Sequence, residues 1–164
     1  MNKSTFLCST DCFLENEQGE ILMINRNKNK KILPDFYNGI GGHLENGETP
    51  SEAMQREIQE EAGADNVKQL TLKGILTIKD KFGAWQIFIF TGHLKREKIK
   101  NMSIPEGRLE WIAKEQLKNK KLVPDLFPWI DLLWKDNIKF FFAKVKYDDT
   151  YKLIEDVKIE IINN

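Results

Sequence analysis

Residues 49 to 63 carry both a start signal and a stop signal for an α-helix, and they constrain the fold more than any other stretch of the chain. Thr49-Pro50-Ser51-Glu52 forms a capping-box pattern, in which Thr49 is the N-cap and Glu52 reaches back to it. Gly63 suits the left-handed residue that commonly follows the last turn. The sequence therefore predicts a helix of about 12 residues, near the mean length in soluble domains.

A cluster of acids lies inside this predicted helix. Glu57, Glu60 and Glu61 are spaced i, i+3, i+4, so at ~100° per residue they project from one face. Carboxylates this close repel one another and lower helix stability. A hard cation such as Mg²⁺ or Mn²⁺ would relieve the repulsion, because both take carboxylate oxygens. The alternative is a solvated acidic surface, which is the ordinary role of such a cluster when it stands alone.

The loop that precedes the helix favours the metal-site interpretation. Its four glycines fall within nine positions: Gly39, Gly41, Gly42 and Gly47. A loop so rich in glycine lets the backbone approach a ligand closely and direct its amides and carbonyls towards it.

The loop and helix together resemble the signature of the Nudix hydrolases. The matching positions, at the spacing that the signature requires, are Gly42, Glu48, Arg56, Glu57, Ile58, Glu60, Glu61 and Gly63. Ala64 departs from the larger aliphatic residue that usually follows. The resemblance implies an α/β/α sandwich with a mixed β-sheet. It also implies a Mg²⁺ site (Mn²⁺ is possible) that is formed by Glu57, Glu60, Glu61 and the backbone carbonyl of Gly41.

A weaker resemblance extends to the MutT-type, 8-oxo-dGTP diphosphatase-like branch of that family. Tyr37-Asn38-Gly39-Ile40-Gly41-Gly42 is similar to the entry of its glycine loop, which implies that Asn38 reads a purine. Asp125, after Pro124, matches an aspartate that contacts the same base. Two positions depart from the branch: Val123 replaces a stacking tryptophan, and Leu126 replaces a second aspartate. Phe36, Trp85 or Phe88 could stack on the base instead, or each could belong to the core.

Further residues are candidates for the site. Arg56 lies four residues from both Glu52 and Glu60, so it can brace the acidic helix, whereas Glu48 is expected to be a structural acid. Arg26, which opens a basic loop, and His43 in the glycine loop beside Gly42 could meet phosphate oxygens. The basic loop could equally be a solubilising surface. Glu106 resembles an additional acid that binds metal or assists the attacking water, and its alternative is an ordinary loop glutamate.

The composition fits one soluble domain over residues 1–164. Acids and bases balance at 25 each, so no basic excess points to nucleic acid, and no apolar run is long enough for a spanning helix. The N-terminus lacks the features of a signal peptide. Cys8 and Cys12 share one face of a predicted strand, so buried free thiols and a cytoplasmic location are expected. The oligomeric state is left open.

The remaining pattern predicts a mixed sheet with helices on both faces. A hairpin is expected from strands 5–14 and 20–26. Further strands are expected at 69–79, 85–94 and 108–113, short helices at 114–120 and 124–134, and a final hairpin at 138–147 and 151–162.

Three functions follow as hypotheses. The first is metal-dependent hydrolysis of a nucleoside triphosphate, such as 8-oxo-dGTP, to monophosphate and pyrophosphate. The second is Nudix hydrolysis of ADP-ribose, a nucleotide sugar or a 5′ RNA end. The third is a catalytically silent nucleotide-binding module, which the complete acidic cluster argues against.

Overall fold

A computed structural model describes residues 5–163 of the chain. Its single long helix, α1 (Pro50–Ala62), has the ends that the sequence predicts. The Thr49 hydroxyl accepts the Glu52 N–H, the Glu52 carboxylate accepts the Thr49 N–H, and Gly63 takes a left-handed conformation with φ of 61°. The first four amides of a helix lack internal partners, so this capping box stabilises the N-terminus of α1.

Within the described residues, nine strands form one mixed sheet in the order β6-β7-β2-β1-β5-β4-β8-β9, and β3 pairs with β2. Their bounds are β1 (Phe6–Glu15), β2 (Glu20–Arg26), β3 (Tyr37–Asn38), β4 (Lys68–Asp80), β5 (Gly83–His93), β6 (Ser103–Ile104), β7 (Gly107–Ala113), β8 (Ile138–Lys146) and β9 (Lys158–Asn163). β1 runs parallel to β5 and β4 runs parallel to β8, whereas the other pairs are antiparallel. The predicted mixed-sheet α/β fold is confirmed.

Alternate residues of β1 face two different apolar cores. Cys12 and Leu14 pack with Met54 and Ile58 of α1 on one side of the sheet. Phe13 packs on the other side with Trp129 and Phe141. This alternation follows from the two-residue period of a strand. Asp11 shares the parity of Phe13, so it is directed away from α1.

Two predicted elements differ from the structure, one in the type of helix and the other in where the strand begins. Residues 124–134 make consecutive turns followed by a 3₁₀ helix, Ile130–Trp134, rather than one regular helix. Pro128 explains this, because proline lacks an N–H and disfavours helical geometry in the residue before it. The second strand of the last hairpin begins at Lys158 instead of Tyr151, after a loop in which Asp148 accepts three hydrogen bonds from Thr150 and Lys152.

The cysteines are both free, but only Cys12 is buried, and Cys8 is half-buried. Part of the signal-peptide prediction falls on residues 1–4, which lie outside the described residues. None of the described helices is long and apolar enough to cross a bilayer.

Candidate active site

Arg56 is the centre of the charged network on α1. Its guanidinium donates two hydrogen bonds to Glu48, at 2.8 and 2.9 Å, and one to Glu57 at 2.8 Å. Weaker contact at 3.4 Å joins it to Glu60, and a bond of 3.0 Å joins it to the backbone carbonyl of His43. The predicted brace between Arg56 and Glu60 therefore forms. The predicted pairing with Glu52 is wrong, because the carboxylate of Glu52 caps the helix instead.

The acids of α1 differ sharply in exposure. The side chain of Glu60 is 59% exposed, whereas Glu61 is only 7% exposed and accepts the Gly41 N–H at 3.0 Å. Burial, followed by repulsion from Glu57 and Glu106, raises the pKa of Glu61 to about 8, although the Gly41 N–H and Lys30 oppose this rise. By contrast, Arg56 and then the Glu45 N–H lower the pKa of Glu48 to about 2. Burial and the neighbouring acids therefore disfavour the charged form of Glu61, whereas Arg56 favours the charged form of Glu48.

Glu106 approaches this acidic region from a different part of the chain. It lies in the turn between β6 and β7, is half-buried, and acts electrostatically on Glu61. Its backbone carbonyl accepts the Asn27 N–H at 2.9 Å, which ties the turn to the basic loop after β2. The structure thus brings Glu106 close to the cluster that the sequence placed on α1.

The donor set around α1 consists of oxygens, which suits a hard cation. Within residues 5–163, however, no three acid, histidine or cysteine side chains are already gathered as a metal cage. Glu57 and Glu60 instead turn towards Arg56. The sequence prediction of Glu57, Glu60, Glu61 and Gly41 as metal ligands stays a prediction.

A cavity of about 270 Å³ lies on the side of the sheet opposite α1, against the glycine loop. Six of its lining residues come from the sequence predictions or stand next to them: Arg26, Asn38, Gly41, Gly42, His43 and Asp125. Val123, which replaces the stacking tryptophan of the MutT-type branch, also lines the cavity. Trp85, one of the alternative stacking candidates, lies in the same wall. The His43 ring lies 5.3 Å from the Trp85 ring at the same rim. Phe88 instead packs into the core beneath α1.

Gly41 and Gly42 form the partition between the cavity and the acidic helix. A Cβ at Gly41 would lie 2.0 Å from the Thr10 carbonyl oxygen, and a Cβ at Gly42 would lie 2.2 Å from Glu57 Oε1. Both distances are far inside van der Waals contact. Only glycine allows β1, the loop and α1 to approach so closely here.

Four buried polar atoms in the cavity wall have no hydrogen-bond partner among the described residues: Thr10 Oγ1, Asp11 Oδ1, Arg26 Nε and Tyr151 OH. Arg26 does use its Nη2, which donates to the Ile32 carbonyl at 3.0 Å. Unpartnered buried polar groups are rare in native proteins and are concentrated where a ligand, water or ion completes them. Their grouping makes this cavity the candidate binding site.

Three acidic or phenolic side chains of the cavity were not identified from the sequence: Asp11, Tyr147 and Tyr151. Asp11 is 6% exposed; burial raises its pKa well above the usual range, and repulsion from Asp125 and Glu61 adds to this. Asp125 is 4% exposed, and its pKa is also raised by burial, against the hydrogen bond from the Tyr147 hydroxyl. Tyr151 has φ of 62°, an uncommon conformation for a tyrosine. A charged residue inside the apolar strand β1 was a usable signal for Asp11, whereas nothing local signals Tyr147 or Tyr151.

Comparison with protein families supports the local resemblance over most of the chain. The family model for the NUDIX domain matches residues 6–133. An uncharacterized Nudix hydrolase of Nostoc sp. is 39% identical over 67 residues, 40% of this chain and 40% of that protein. The isopentenyl-diphosphate Delta-isomerase of Corynebacterium diphtheriae is 33% identical over 66 residues, 40% of this chain and 36% of that protein. The mouse 8-oxo-dGDP phosphatase NUDT18 is 40% identical over 75 residues, 46% of this chain and 21% of that protein.

The chain thus spans at most 40% of the length of these curated relatives. A solved structure, the MutT protein of Bacillus halodurans, superposes with a TM-score of 0.77 and covers 94% of this chain and 98% of that one. Its sequence identity is 21%, so the likeness concerns the fold.

Proposed function

The chain belongs to the Nudix family, and on that premise we propose that it hydrolyses nucleoside triphosphates to a nucleoside monophosphate and pyrophosphate, with oxidised purine nucleotides such as 8-oxo-dGTP as leading substrates. In the reaction the oxygen of water forms a bond to phosphorus. The bond from that phosphorus to the departing pyrophosphate oxygen breaks. Such transfers depend mainly on positioning and on charge neutralisation.

One observation carries the proposal: a cavity with four unpartnered polar atoms shares the Gly41–Gly42 partition with a concentrated acidic cluster. A nucleotide has the two parts that this arrangement needs. Its base offers hydrogen-bonding groups and an aromatic face to the cavity, and its phosphates need a counter-charge nearby. The predicted base contacts, Asn38 and Asp125, both line the cavity.

The residues of α1 fit a hard divalent cation. Glu57, Glu60, Glu61 and the Gly41 carbonyl would hold Mg²⁺ or Mn²⁺. Burial, and after it repulsion from Glu57 and Glu106, raises the pKa of Glu61, and such a cation would offset both costs of its charged form. A bound divalent ion supplies charge neutralisation for the phosphates and lowers the pKa of water.

Four side chains near the predicted cation site have separate proposed roles in catalysis or substrate binding. Glu106, which acts electrostatically on Glu61 from the β6–β7 turn, would accept a proton from the attacking water. Arg26 lines the cavity, and its guanidinium would form charge-assisted hydrogen bonds with a phosphate oxygen. His43 lines the cavity beside Trp85 and would contact the phosphates there. Arg56 positions Glu57 and Glu48 and thereby fixes the acidic face.

The test is product analysis over a panel of normal and oxidised nucleoside triphosphates, nucleoside diphosphates, ADP-ribose and nucleotide sugars, each with Mg²⁺. Isopentenyl diphosphate belongs in the panel because one relative is named for isomerising it. We expect pyrophosphate from triphosphates, fastest with oxidised purines. Orthophosphate release, or turnover of sugar nucleotides alone, would instead favour the second Nudix activity, on another nucleoside diphosphate derivative. A Nudix module that binds nucleotides without hydrolysing them would show no product with any of these.

The matched variants are Glu60→Gln and Glu45→Gln. Glu60→Gln removes one carboxylate from the acidic face and should lower kcat by two or more orders of magnitude, in the range of a lost transition-state charge contact. Glu45→Gln removes another exposed charge, outside the cluster, and should leave kcat unchanged. Equal activity of Glu60→Gln and the unaltered protein would contradict the metal-site assignment.

A further inference from the structure

A second cavity, of about 480 Å³, lies on the same side of the sheet as the first but at the opposite end of the strands. Glu15 and His93, which pair at the ends of β1 and β5, line it, whereas Trp85 near the beginning of β5 lines the first cavity. Phe13 and Leu133 bring the apolar core on this side of the sheet to its wall. The two cavities have no lining residue in common.

The wall of the second cavity has an excess of positive charge. Four lysines line it against two acids: Lys73, Lys114, Lys135 and Lys139 against Glu15 and Asp136. The chain as a whole has equal numbers of basic and acidic residues, so the excess is local. The first cavity has the opposite balance, with three aspartates and one arginine in its wall. We call the second cavity the lysine cavity.

Two of its lysines are half-buried and held in place by the protein. Lys73 Nζ donates to the Ile138 carbonyl at 3.0 Å. Lys114 Nζ pairs with Glu15 Oε1 at 2.8 Å and lies 5.1 Å from the centre of the Trp134 ring. A lysine ammonium has three N–H donors, so each of these groups keeps donors for a ligand. Both positive charges are therefore fixed in position before a ligand arrives.

The other two lysines, Lys135 and Lys139, are exposed. Within residues 5–163 no ion pair joins either of them to an acid. Their long stems let the ammonium groups turn towards an anion in the cavity. Because a concave surface with one sign of charge focuses the electric field, the four lysines together attract anions more strongly than the same charges on a flat surface.

The kind of cation in the wall indicates the kind of anion that it suits. Planar carboxylates are typically recognised by the two parallel N–H groups of arginine, and the described wall of the lysine cavity has no arginine. Lysine binds phosphate as a point charge, without a fixed plane. Several ammonium groups around one space match the many oxygens of a phosphate chain. The neighbouring Trp134 and Phe13 provide apolar surface for whatever the phosphates are attached to.

We propose that the lysine cavity is a second anion site, which binds the phosphate groups of a small phosphorylated compound away from the acidic face of α1. The proposal goes beyond the hydrolase activity and does not depend on it. An inorganic polyphosphate and the phosphate chain of a nucleotide offer the same chemistry to the lysines, so both are used as probes.

The experiment follows the indole N–H signals of the full chain by ¹⁵N-resolved NMR, because the four tryptophans give separate reporters. Trp134 lines the lysine cavity and Trp85 lines the first cavity. Tripolyphosphate is titrated without divalent metal, so that binding is measured in the absence of metal-dependent hydrolysis. We expect the Trp134 signal to shift and to saturate. The Trp134→Phe protein identifies that signal, and Trp85 reports separately on binding in the first cavity.

A matched pair of double variants tests the role of the lysines. Lys135→Glu with Lys139→Glu reverses the two exposed charges and should weaken the affinity reported by Trp134 roughly tenfold or more. Lys144→Glu with Lys158→Glu makes the same change in net charge at exposed positions of β8 and β9 outside the cavity, and should change the affinity by less than about twofold. Unchanged signals from the other tryptophans verify that each variant is folded.

Three outcomes would overturn the proposal: no shift of Trp134, a shift of Trp85 alone, or equal weakening by the two double variants. Adenosine triphosphate under the same conditions distinguishes the two sources of phosphate. Tighter binding than that of tripolyphosphate would show that the apolar wall contacts a nucleoside, whereas equal affinity would show that the phosphate chain alone is recognised. Either result, with a saturating shift of Trp134 that depends on Lys135 and Lys139, supports the anion site.

Discussion

The acidic face of α1 and the cavity across the glycine loop satisfy their polar groups in opposite ways. On α1, Glu57 and Glu60 contact Arg56, and Glu61 accepts an amide of the loop. In the cavity, four buried polar atoms lack a partner within the described chain. The polar groups of the first region are paired within the protein, whereas those of the second are not. Under the proposed function, α1 carries the general chemistry and the cavity carries substrate choice.

The largest expected effect that tests this division concerns Asn38. Replacement by alanine should change the ratio of kcat/KM between purine and pyrimidine triphosphates by ten- to a hundredfold, roughly the range for a lost buried hydrogen-bond partner. Variants on α1, by contrast, should lower the rate with every nucleotide alike. Steady-state kinetics on a matched pair of substrates measures both ratios. If Asn38→Ala slowed hydrolysis of all substrates equally, the assignment of substrate choice to the cavity would be contradicted.

An intermediate effect is expected at Tyr147, whose hydroxyl donates to the buried Asp125 carboxyl. Tyr147→Phe should lower the free energy of unfolding by about 1–3 kcal/mol near neutral pH, because it leaves a buried acceptor without its donor. Urea denaturation measures the change. Tyr37→Phe is a suitable control, since the Tyr37 hydroxyl bonds to the less buried Glu110.

The same variant has a predictable pH dependence. Burial already raises the pKa of Asp125, so its contribution to folding is greatest below the pKa of an unfolded aspartate and is lost as pH rises through the raised value. Loss of the Tyr147 hydrogen bond raises that pKa further. The destabilisation of Tyr147→Phe should therefore be larger at pH 7 than at pH 4, and a difference that does not vary with pH would contradict this electrostatic account.

The smallest expected effect lies at the start of α1. Thr49→Ala removes the N-cap oxygen that accepts the Glu52 N–H, and should cost about 1 kcal/mol of stability. Because it leaves the acidic face in place, kcat at saturating nucleotide should hold constant at temperatures below the melting transition. Thermal melting with parallel assays checks both parts. A loss of activity that exceeds the loss of folded protein would show that the cap also positions the acids.

The sequence predicted the acidic region better than the cavity for a physical reason. Helix caps and i, i+3, i+4 spacing are local properties, so Thr49, Gly63 and the three glutamates could be placed on one element without tertiary information. The cavity collects Asp11 from β1, Asn38 from β3, Trp85 from β5 and Tyr151 from the loop after β8. Such a set is created by strand pairing between distant segments, which spacing along the chain does not encode.

The errors have equally specific causes. Residues 124–134 have the apolar content of a packed helix, yet Pro128 interrupts the hydrogen-bond series that a regular helix needs. Tyr151 was assigned to a strand because apolar residues follow it, whereas its positive φ and the turn around Asp148 direct it into the cavity wall. In both segments the apolar pattern predicted regular secondary structure, and a backbone constraint, the proline in one and the turn in the other, prevented it.

The Gly41–Gly42 partition has a consequence for how proteins of this shape diversify. Single substitutions in the cavity wall change the shape and polarity of the cavity, and so change which ligand it would fit. At the partition, by contrast, any side chain collides with β1 on one side or with Glu57 on the other. Substrate preference can therefore evolve through substitutions in the cavity wall, while Gly41 and Gly42 are retained. Homologues with different substrates should differ around this dipeptide and share the dipeptide itself.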